Sequence, residues 1–368
     1  MGAPRAFWSR RTSAKLASST IWLYNSACRG LCGPLHVVLP LFPIITIMNT
    51  AFFHSPRFLE HENGPNHPER PQRLEAIVKA VKEVGLWDAL DHPEFEAAAD
   101  IDLWTCHTQA HIERVKQLAQ DGGGYLDGDT HVSPVSFEVA TLGVGAAIAA
   151  VGAVMKGEAK NAFVAARPPG HHAESGREPN SPWGFCLFNT VAIAARVAQR
   201  DFGAQRVAIL DFDVHHGNGT QEIFYSDPSV LFVSLHQSPL FPHTGTVGQR
   251  GAGEGIDKTI NFPLPPGSSG AVYHRVWGQV GARVRDFKPD LILLSAGYDA
   301  HEADPLGGMK LTADDYGALI YDAKLWAEEN CGGKLVAILE GGYNLDALAS
   351  SVVMTLGVMN GQFLDELH

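Results

Sequence analysis

Five short, almost uninterrupted apolar runs constrain this chain more than anything else in it: Ala162–Ala166, Val207–Phe212, Val230–Leu235, Leu291–Ser295 and Leu335–Leu339. A strand reads this way when helices cover both of its faces. The stretches between the runs have helical period. Thr190–Arg200 sets Val191, Ala194, Ala195 and Ala198 on one side, and Tyr273–Phe287 and Thr312–Glu329 read likewise. Thr141–Val154, rich in Ala and Gly, reads as a helix pressed against a close neighbour. The alternation predicts an α/β fold, a mostly parallel sheet with helices on both faces. No repeat or low-complexity linker divides the chain after Met48, so a single domain is expected over residues 48–368.

The first 47 residues differ in kind. Asp and Glu are absent from Met1 to Leu59, while Arg5, Arg10, Arg11, Lys15 and Arg29 supply +5. Without residues 1–47 the chain holds 23 basic and 40 acidic residues, a net −17. Such a segment matches a mitochondrial leader or a non-native extension ahead of Met48. The second reading is favoured because a strand-like pattern starts at once with Met48-Asn-Thr-Ala-Phe-Phe. The apolar run Leu35–Met48 falls short of the ~20 residues a spanning helix needs, and Pro40 and Pro43 interrupt it. No membrane association is expected. The whole-chain charge of −12 argues against a broad phosphate-binding surface, so no direct nucleic-acid binding is expected either. Five cysteines, Cys28, Cys32, Cys106, Cys186 and Cys331, do not make a disulfide framework in a chain this long. A reducing compartment, the cytoplasm, is the natural setting, with the mitochondrion as the alternative should residues 1–47 be a true leader.

The residues just past each run carry the chemistry. Val207–Phe212 leads into Asp213-Val-His215-His216-Gly-Asn218-Gly, and Val230–Leu235 into His236. Leu291–Ser295 leads into Gly297-Tyr298-Asp299 and then Asp304, Leu335–Leu339 into Glu340-Gly-Gly-Tyr343, and Ala162–Ala166 into Arg167-Pro-Pro-Gly-His171-His172. In open parallel sheets, ligands bind beyond the carboxyl ends of the strands. Five strand ends therefore deliver polar groups and glycines to one edge.

Asp211, Asp213 and His215 alternate as an apolar strand ends, which points them to one side. Burying three polar groups there is costly without a metal or a hydrogen-bond network. A lone D-x-H is usually a strand-end hydrogen-bond cluster; its recurrence beside the other strand ends favours a metal. Asp213 and His215 make a plausible ligand pair, and Asp304 can supply a third. Three ligands with an open position is the catalytic zinc arrangement. A metal held by two carboxylates polarises its water weakly, so a base and an oxyanion donor are also needed. His171-His172 and Tyr343 are the candidates.

These residues resemble the histone deacetylase family, which also includes acetylpolyamine amidohydrolases and acetoin-utilisation proteins. The resemblance rests on Asn66-His-Pro-Glu-Arg-Pro-Gln-Arg73, Arg167-Pro-Pro-Gly-His-His172, Trp183-Gly-Phe-Cys-Leu-Phe-Asn189, Asp211-Phe-Asp-Val-His-His-Gly-Asn-Gly-Thr-Gln221, Ser295-Ala-Gly-Tyr-Asp-Ala300, Asp304-Pro-Leu-Gly-Gly308 and Glu340-Gly-Gly-Tyr-Asn344. They run in order and at family spacing over roughly Met48 to Gly361, and His-His-Gly-Asn-Gly-Thr-Gln is similar to the class II branch and its bacterial relatives. The resemblance implies the arginase/deacetylase α/β fold and a zinc amidohydrolase acting on acyl-lysine. It makes Asp213, His215 and Asp304 the zinc ligands and His172 the general base and then acid. His171 becomes its electrostatic partner, oriented by Asp211, and Tyr343 the oxyanion donor. Phe185, Phe241 and Gly184 would line the acyl-lysine tunnel, Asp129 would grip the substrate backbone at the rim, and Arg73 would lie near an internal channel for released acetate. Carbonyls around Asp211, Asp213 and His215, with Ser234 and Leu235, would hold a potassium ion.

Two departures matter. Asn218 stands where class I members carry aspartate, which leaves the His172 imidazole less cationic. Leu311 stands where polyamine-specific members carry a gatekeeping glutamate, which favours acyl-lysine over acetylpolyamine. Glu174 or Glu178, in the entrance loop Ala173–Pro182, could still serve a cationic substrate. The partners implied are an acetylated lysine peptide or a small acylated amine, with homo-oligomer formation left open. Competing readings are an acetylpolyamine deacetylase, an inactive acyl-lysine-binding module and a binuclear manganese hydrolase. The last would want more bridging carboxylates than this set provides.

Overall fold

A computed structural model describes residues 49–177 and 182–362. The expected leader over 1–47, with Cys28 and Cys32, and Glu178 of the entrance loop lie outside the described residues. In chain order the elements are β1 (Thr50–Phe53), α1 (Gln72–Glu83), α2 (Asp100–Leu103), α3 (Gln109–Gln120), β2 (Gly124–Tyr125), β3 (His131–Val132), α4 (Ser136–Met155), β4 (Asn161–Val164), α5 (Thr190–Phe202), β5 (Val207–Asp211), α6 (Asn218–Phe224), β6 (Val230–Gln237), β7 (Thr259–Leu264), α7 (Gly270–Phe287), β8 (Leu291–Ala296), α8 (Ala313–Cys331), β9 (Leu335–Leu339) and α9 (Leu345–Met359).

Seven strands form one parallel sheet in the order β1-β4-β9-β8-β5-β6-β7. All five apolar runs are strands of it, and β5, β6, β8 and β9 are buried throughout. Full burial of each Val, Leu or Ile side chain in them contributes on the order of 1.5–3 kcal/mol. Helices α4 and α5 pack together, α1, α9, α8 and α7 pack in a row, and α5 and α8 both lie on β8. The two-layer covering explains why these strands lack the polar alternation of a one-sided sheet. Helix α4 is long and apolar enough to cross a membrane, and most of it is buried against the rest of the protein.

Strand register places the site. Asp211 pairs with Ser234 of β6 on one side and Ser295 of β8 on the other. Ser295 in turn pairs with Ile338 of β9. Strands β5, β8 and β9 therefore end within one residue of each other, β6 runs three residues further, and the loops that leave them meet. The helices after these loops are held at their starts. Asn189 caps α5 by accepting from the Ala192 N–H, and Asn344 caps α9 by accepting from the Ala347 N–H, each cap contributing about 1 kcal/mol. Tyr343 is thereby fixed just ahead of the cap of α9.

Several elements escaped the apolar pattern, and two of them, β7 and α1, show the physical reasons. The edge strand β7 reads Thr-Ile-Asn-Phe-Pro-Leu, and a sheet edge tolerates both the polar Asn261 and Pro263, which has no N–H to pair. Helix α1 is mostly polar and buries only the stripe Arg73, Leu74, Ile77 and Val81.

Candidate active site

A pocket of about 260 Å³ opens over the strand ends. His172, His215 and Tyr343 lie in it, nearly buried, between Gly184, Phe185, Leu240, Phe241 and Leu306, with the exposed Asp129 at its rim. Larger depressions run along β7 and α7 and beside β1, but neither is lined by the residues that follow β4, β5, β8 or β9.

Each residue of the pair His171-His172 has its own partner. His171 Nδ1 lies 2.9 Å from Asp211 Oδ2, and its Nε2 is 3.8 Å from Asp213 Oδ1. Burial opposes its charge, yet Asp211 and Asp213 together hold its pKa well above the usual histidine value. His172 Nδ1 lies 2.7 Å from Asn218 Oδ1. Burial, then the charges of His171 and His215, push its pKa well below the usual value. The shifts favour a cationic His171 and a neutral His172: the first has a carboxylate to offset burial, whereas the amide facing the second brings no charge to offset burial and its cationic neighbours. The turn that carries both is tied to β9: Glu340 Oε2 accepts from the N–H groups of Gly170 (2.7 Å) and His171 (3.2 Å).

The D-x-H pair converges with a third acid. Ligand atoms of Asp213, His215 and Asp299 all lie within 4.8 Å of one another, in buried residues. Strand β5 ends at Asp211, so the loop, not the pleat, carries Asp213 and His215 to the site. His215 Nδ1 is 3.1 Å from both Asp213 Oδ1 and Asp299 Oδ2. Burial works against its protonation, but these two carboxylates raise its pKa to about 10. Burial and then the charge of Asp213 push Asp299 up to about 7. Gly341 donates its N–H to Asp213 Oδ2 at 2.8 Å, and a Cβ there would overlap the carboxylates of Asp213 and Asp299. Glycine at 341 is what lets β9 close on the cluster. Asp304, expected as third ligand, is buried beside this group. Its Oδ2 accepts from the N–H groups of Tyr343 (2.6 Å) and Asn344 (3.1 Å), so it also seats the start of α9. Asp299 had appeared in the sequence only as a strand-end residue with no assigned role.

Tyr343 stands edge-on to Phe185, centroids 6.0 Å apart, with Arg73 5.0 Å over its ring. Arg73, expected near a product channel, is fully buried. Its Nε and Nη2 donate to the carbonyls of Gly342 (2.6 Å) and Glu340 (2.5 Å), and its Nη1 to Glu69 Oε1 (3.1 Å). Glu69 also takes both sides of the buried Arg167 guanidinium. Burial opposes its charge, but Arg167 and then Arg73 hold its pKa down at about 2. Glu69 was visible only as a member of the Asn66–Arg73 motif, as was His67. The His67 ring meets Phe185 edge-on at 4.6 Å, and its Nε2 bonds the Asp129 carbonyl at 3.1 Å. Phe241 packs edge-on to His172 at 5.0 Å. Ser234 and Leu235 are buried in β6 beside Asp211.

Two expected positions move. Leu311, placed at the tunnel mouth by resemblance, is fully buried, and its N–H donates to the Ala300 carbonyl at 3.1 Å. The apolar side chain that lines the pocket from this loop is Leu306. Leu311 therefore gives no ground for disfavouring polyamine substrates. Glu174, considered for a cationic substrate, turns inward instead: its Oε1 accepts from Asn218 Nδ2 at 2.8 Å.

Comparison with known proteins agrees with this arrangement. The histone deacetylase domain matches residues 67–359. A histone deacetylase-like amidohydrolase of Pseudomonas aeruginosa is 38% identical over 315 residues, covering 80% of this chain and 82% of that protein. Histone deacetylase 14, chloroplastic, of Arabidopsis thaliana is 38% identical over 342 residues, 88% of this chain and 80% of that protein. A probable deacetylase of Archaeoglobus fulgidus is 41% identical over 304 residues, 81% and 82% of the two chains. The crystal structure of the HDA15 HD domain superposes with a TM-score of 0.79 at 34% identity, covering 86% of this chain and 90% of that one. Fold, strand-end cluster and sequence kinship converge on one statement: this chain belongs to the histone deacetylase family of hydrolases.

Proposed function

We propose that the chain is a zinc-dependent deacylase that removes acetyl or related acyl groups from lysine side chains. The observation that carries this is the meeting of a neutral His172, the Asp213–His215 pair and the Tyr343 ring in one aromatic-walled pocket.

The donor set fits a divalent ion. The buried acids of the set crowd one another: two carboxylates raise the His215 pKa to about 10, and Asp299 is pushed to about 7. A cation seated on Asp213, His215 and Asp304 would relieve that crowding, with Asp299 beside it as the competing third ligand. Zinc bound there would supply Lewis-acid polarisation of the amide carbonyl and a more acidic water.

The chain's own groups do the rest. His172 is neutral, and with Nδ1 bonded to Asn218 its Nε2 is free to take a proton from the attacking water and return it to the leaving amine. His171, held cationic by Asp211, keeps positive charge next to the reacting carbonyl. Tyr343 donates its hydroxyl to the developing oxyanion. Phe185 and Phe241 exclude water around the alkyl chain, Gly184 lets the wall close on the base, and Asp129 accepts a backbone N–H of a peptide substrate. Arg73 anchors the loop below Tyr343 and bounds the side on which acetate would leave. Carbonyls at Asp211, Asp213 and His215, with Ser234 and Leu235, are the proposed potassium seat. We place the protein in the cytoplasm, with a mitochondrial location if residues 1–47 act as a leader, and expect neither nucleic acid nor membrane as a partner.

Purified protein assayed side by side on acetyl-lysine peptide, trifluoroacetyl-lysine peptide and acetylated polyamines tests the assignment. Chelator-sensitive turnover of the lysine peptides supports it. Turnover of polyamines alone would shift the substrate class. Tight acyl-lysine binding with no turnover of any amide would make this a binding module.

A further inference from the structure

Two residues past His172 the chain doubles back, and the Glu174 carboxylate meets the side chain of Asn218. Glu174 Oε1 accepts from Asn218 Nδ2 at 2.8 Å, while Oδ1 of the same carboxamide faces His172 Nδ1 at 2.7 Å. A carboxylate only accepts, so the carboxamide must turn its NH2 toward Glu174 and its oxygen toward His172. A longer contact of 3.4 Å from Nδ2 to the His172 carbonyl points the same way. An amide oxygen also only accepts, so the hydrogen sits on Nδ1 of His172 and the lone pair on Nε2. A reversed carboxamide would present NH2 to Nδ1 and drive the hydrogen to Nε2, the nitrogen a base needs bare.

The segment that carries Glu174 is anchored on both sides. His107 Nδ1 donates to the Glu174 carbonyl at 3.0 Å, and its Nε2 accepts from the Asn189 N–H at 2.9 Å. Ser175 gives its N–H and its hydroxyl to Glu222, each at 2.9 Å. Asn218 and Glu222 lie one turn apart on α6, so a single helix face grips residues 174 and 175 together.

We propose that Glu174 is a positioning residue: it sets the carboxamide of Asn218 and, through it, the tautomer of His172. Its catalytic consequence rests on the reading of His172 as the base; the tautomer itself does not.

Exchanging donor and acceptor tests this in the zinc-loaded full chain. N218D alone sets two carboxylates against each other across 2.8 Å. E174Q/N218D restores one donor facing one acceptor and leaves the other Asp oxygen on Nδ1. On trifluoroacetyl-lysine peptide, N218D should lose roughly tenfold in kcat, the scale of coupling between groups in direct contact. KM should change little, and the double variant should return to within about threefold of wild type. Where N218D does lose kcat, a double variant that recovers none of the loss overturns the proposal. The ¹⁵N shifts of the His172 ring give a readout free of turnover. Wild type should show a protonated Nδ1 and a bare Nε2, and E174L a mixture of the two forms; an unchanged tautomer in E174L overturns the proposal. Flat kcat across all variants with a shifted tautomer supports the positioning role and condemns the base assignment instead.

Discussion

Adding one methyl at Gly184 should damage catalysis far more than folding. Gly184 has φ of 50° and Phe185 comes next at 67°, and the left-handed region costs alanine about 1–2 kcal/mol. The steric effect is larger. A Cβ at 184 would lie 2.8 Å from Cγ of His172, with Cδ2 nearer still, and 2.9 Å from Cε1 of Phe241, whereas ordinary contact begins near 3.4 Å. The imidazole has little room to retreat: Asn218 holds Nδ1 at 2.7 Å, and the His171 ring lies behind at 4.1 Å between centroids. The ring or the 184–185 backbone must give by about 0.6 Å or more, and misplacement of about 1 Å costs ~10²-fold in rate. Gly184→Ala should therefore lose about ten- to a hundredfold in kcat, while the melting temperature falls by about 5–10 °C, at about 2–4 °C for each kcal/mol lost, and the protein stays folded at assay temperature. Steady-state kinetics on acetyl-lysine peptide beside a thermal melt separate the two effects. A variant with wild-type kcat would refute the packing of this wall on His172, and a melting shift large enough to unfold the protein in the assay would assign the loss to unfolding.

Three further outcomes are expected. Tyr343→Phe should keep fold and zinc content, lose about 10²–10³ in kcat on acetyl-lysine, and lose less on the electron-poor trifluoroacetyl analogue; undiminished turnover would remove Tyr343 from the mechanism. Asp213→Ala should abolish tight divalent-metal binding by elemental analysis; Asp304→Asn should weaken it more than Asp299→Asn, and the reverse order would hand the third place to Asp299. Glu69→Gln should destabilise the protein at pH 7 by about 3–5 kcal/mol, since it strands two buried arginines. The folded pKa of Glu69, about 2, lies below its ordinary 4.5, so its stabilising contribution is complete above about pH 4.5 and is lost as pH falls toward 2. Denaturant titrations should show wild type and variant converging over that window, and a gap independent of pH would contradict the ion-pair account.

The sequence made the sheet legible because a doubly covered strand has no choice but to be apolar along its length. Leu335–Leu339 is a strand from end to end, and Val207–Phe212 overshoots β5 by one residue. Strand-end order also foretold which loops would meet. It could not show how the loop beyond β8 folds, and that fold gives each of its acids different partners. Asp299 and Asp304 lie beyond the same strand, and only the folded chain shows Asp299 joining His215 while Asp304 holds the N–H groups that open α9. Leu311 and Leu306 make the same point for the wall: five residues apart on one loop, the second faces the pocket and the first is sealed beneath it. Glu69 was illegible because, although Arg73 lies only four residues on, its other partner Arg167 comes from beyond β4, and nothing local announces that the three are buried together.

The two adjacent histidines show how far a site depends on such distant partners. His171 and His172 are chemically identical neighbours on one turn, and nothing local distinguishes them. The nearly level ends of β5 and β8 bring the carboxylate of Asp211 to the first, and the first turn of α6 brings the carboxamide of Asn218 to the second. The first imidazole is thereby held charged. Its charge, once fixed, acts on the second across 4.1 Å between ring centroids and further disfavours a second proton there. In the proposed mechanism a neutral His172 beside a cationic His171 suits amide hydrolysis, because the cation favours the oxyanion while the base stays free to accept. An aspartate at 218 facing a glutamate at 174 would put two like charges in contact and draw a proton back onto His172. The amide at 218 and the carboxylate at 174 are therefore a matched pair, and a change at either position should be readable at the other.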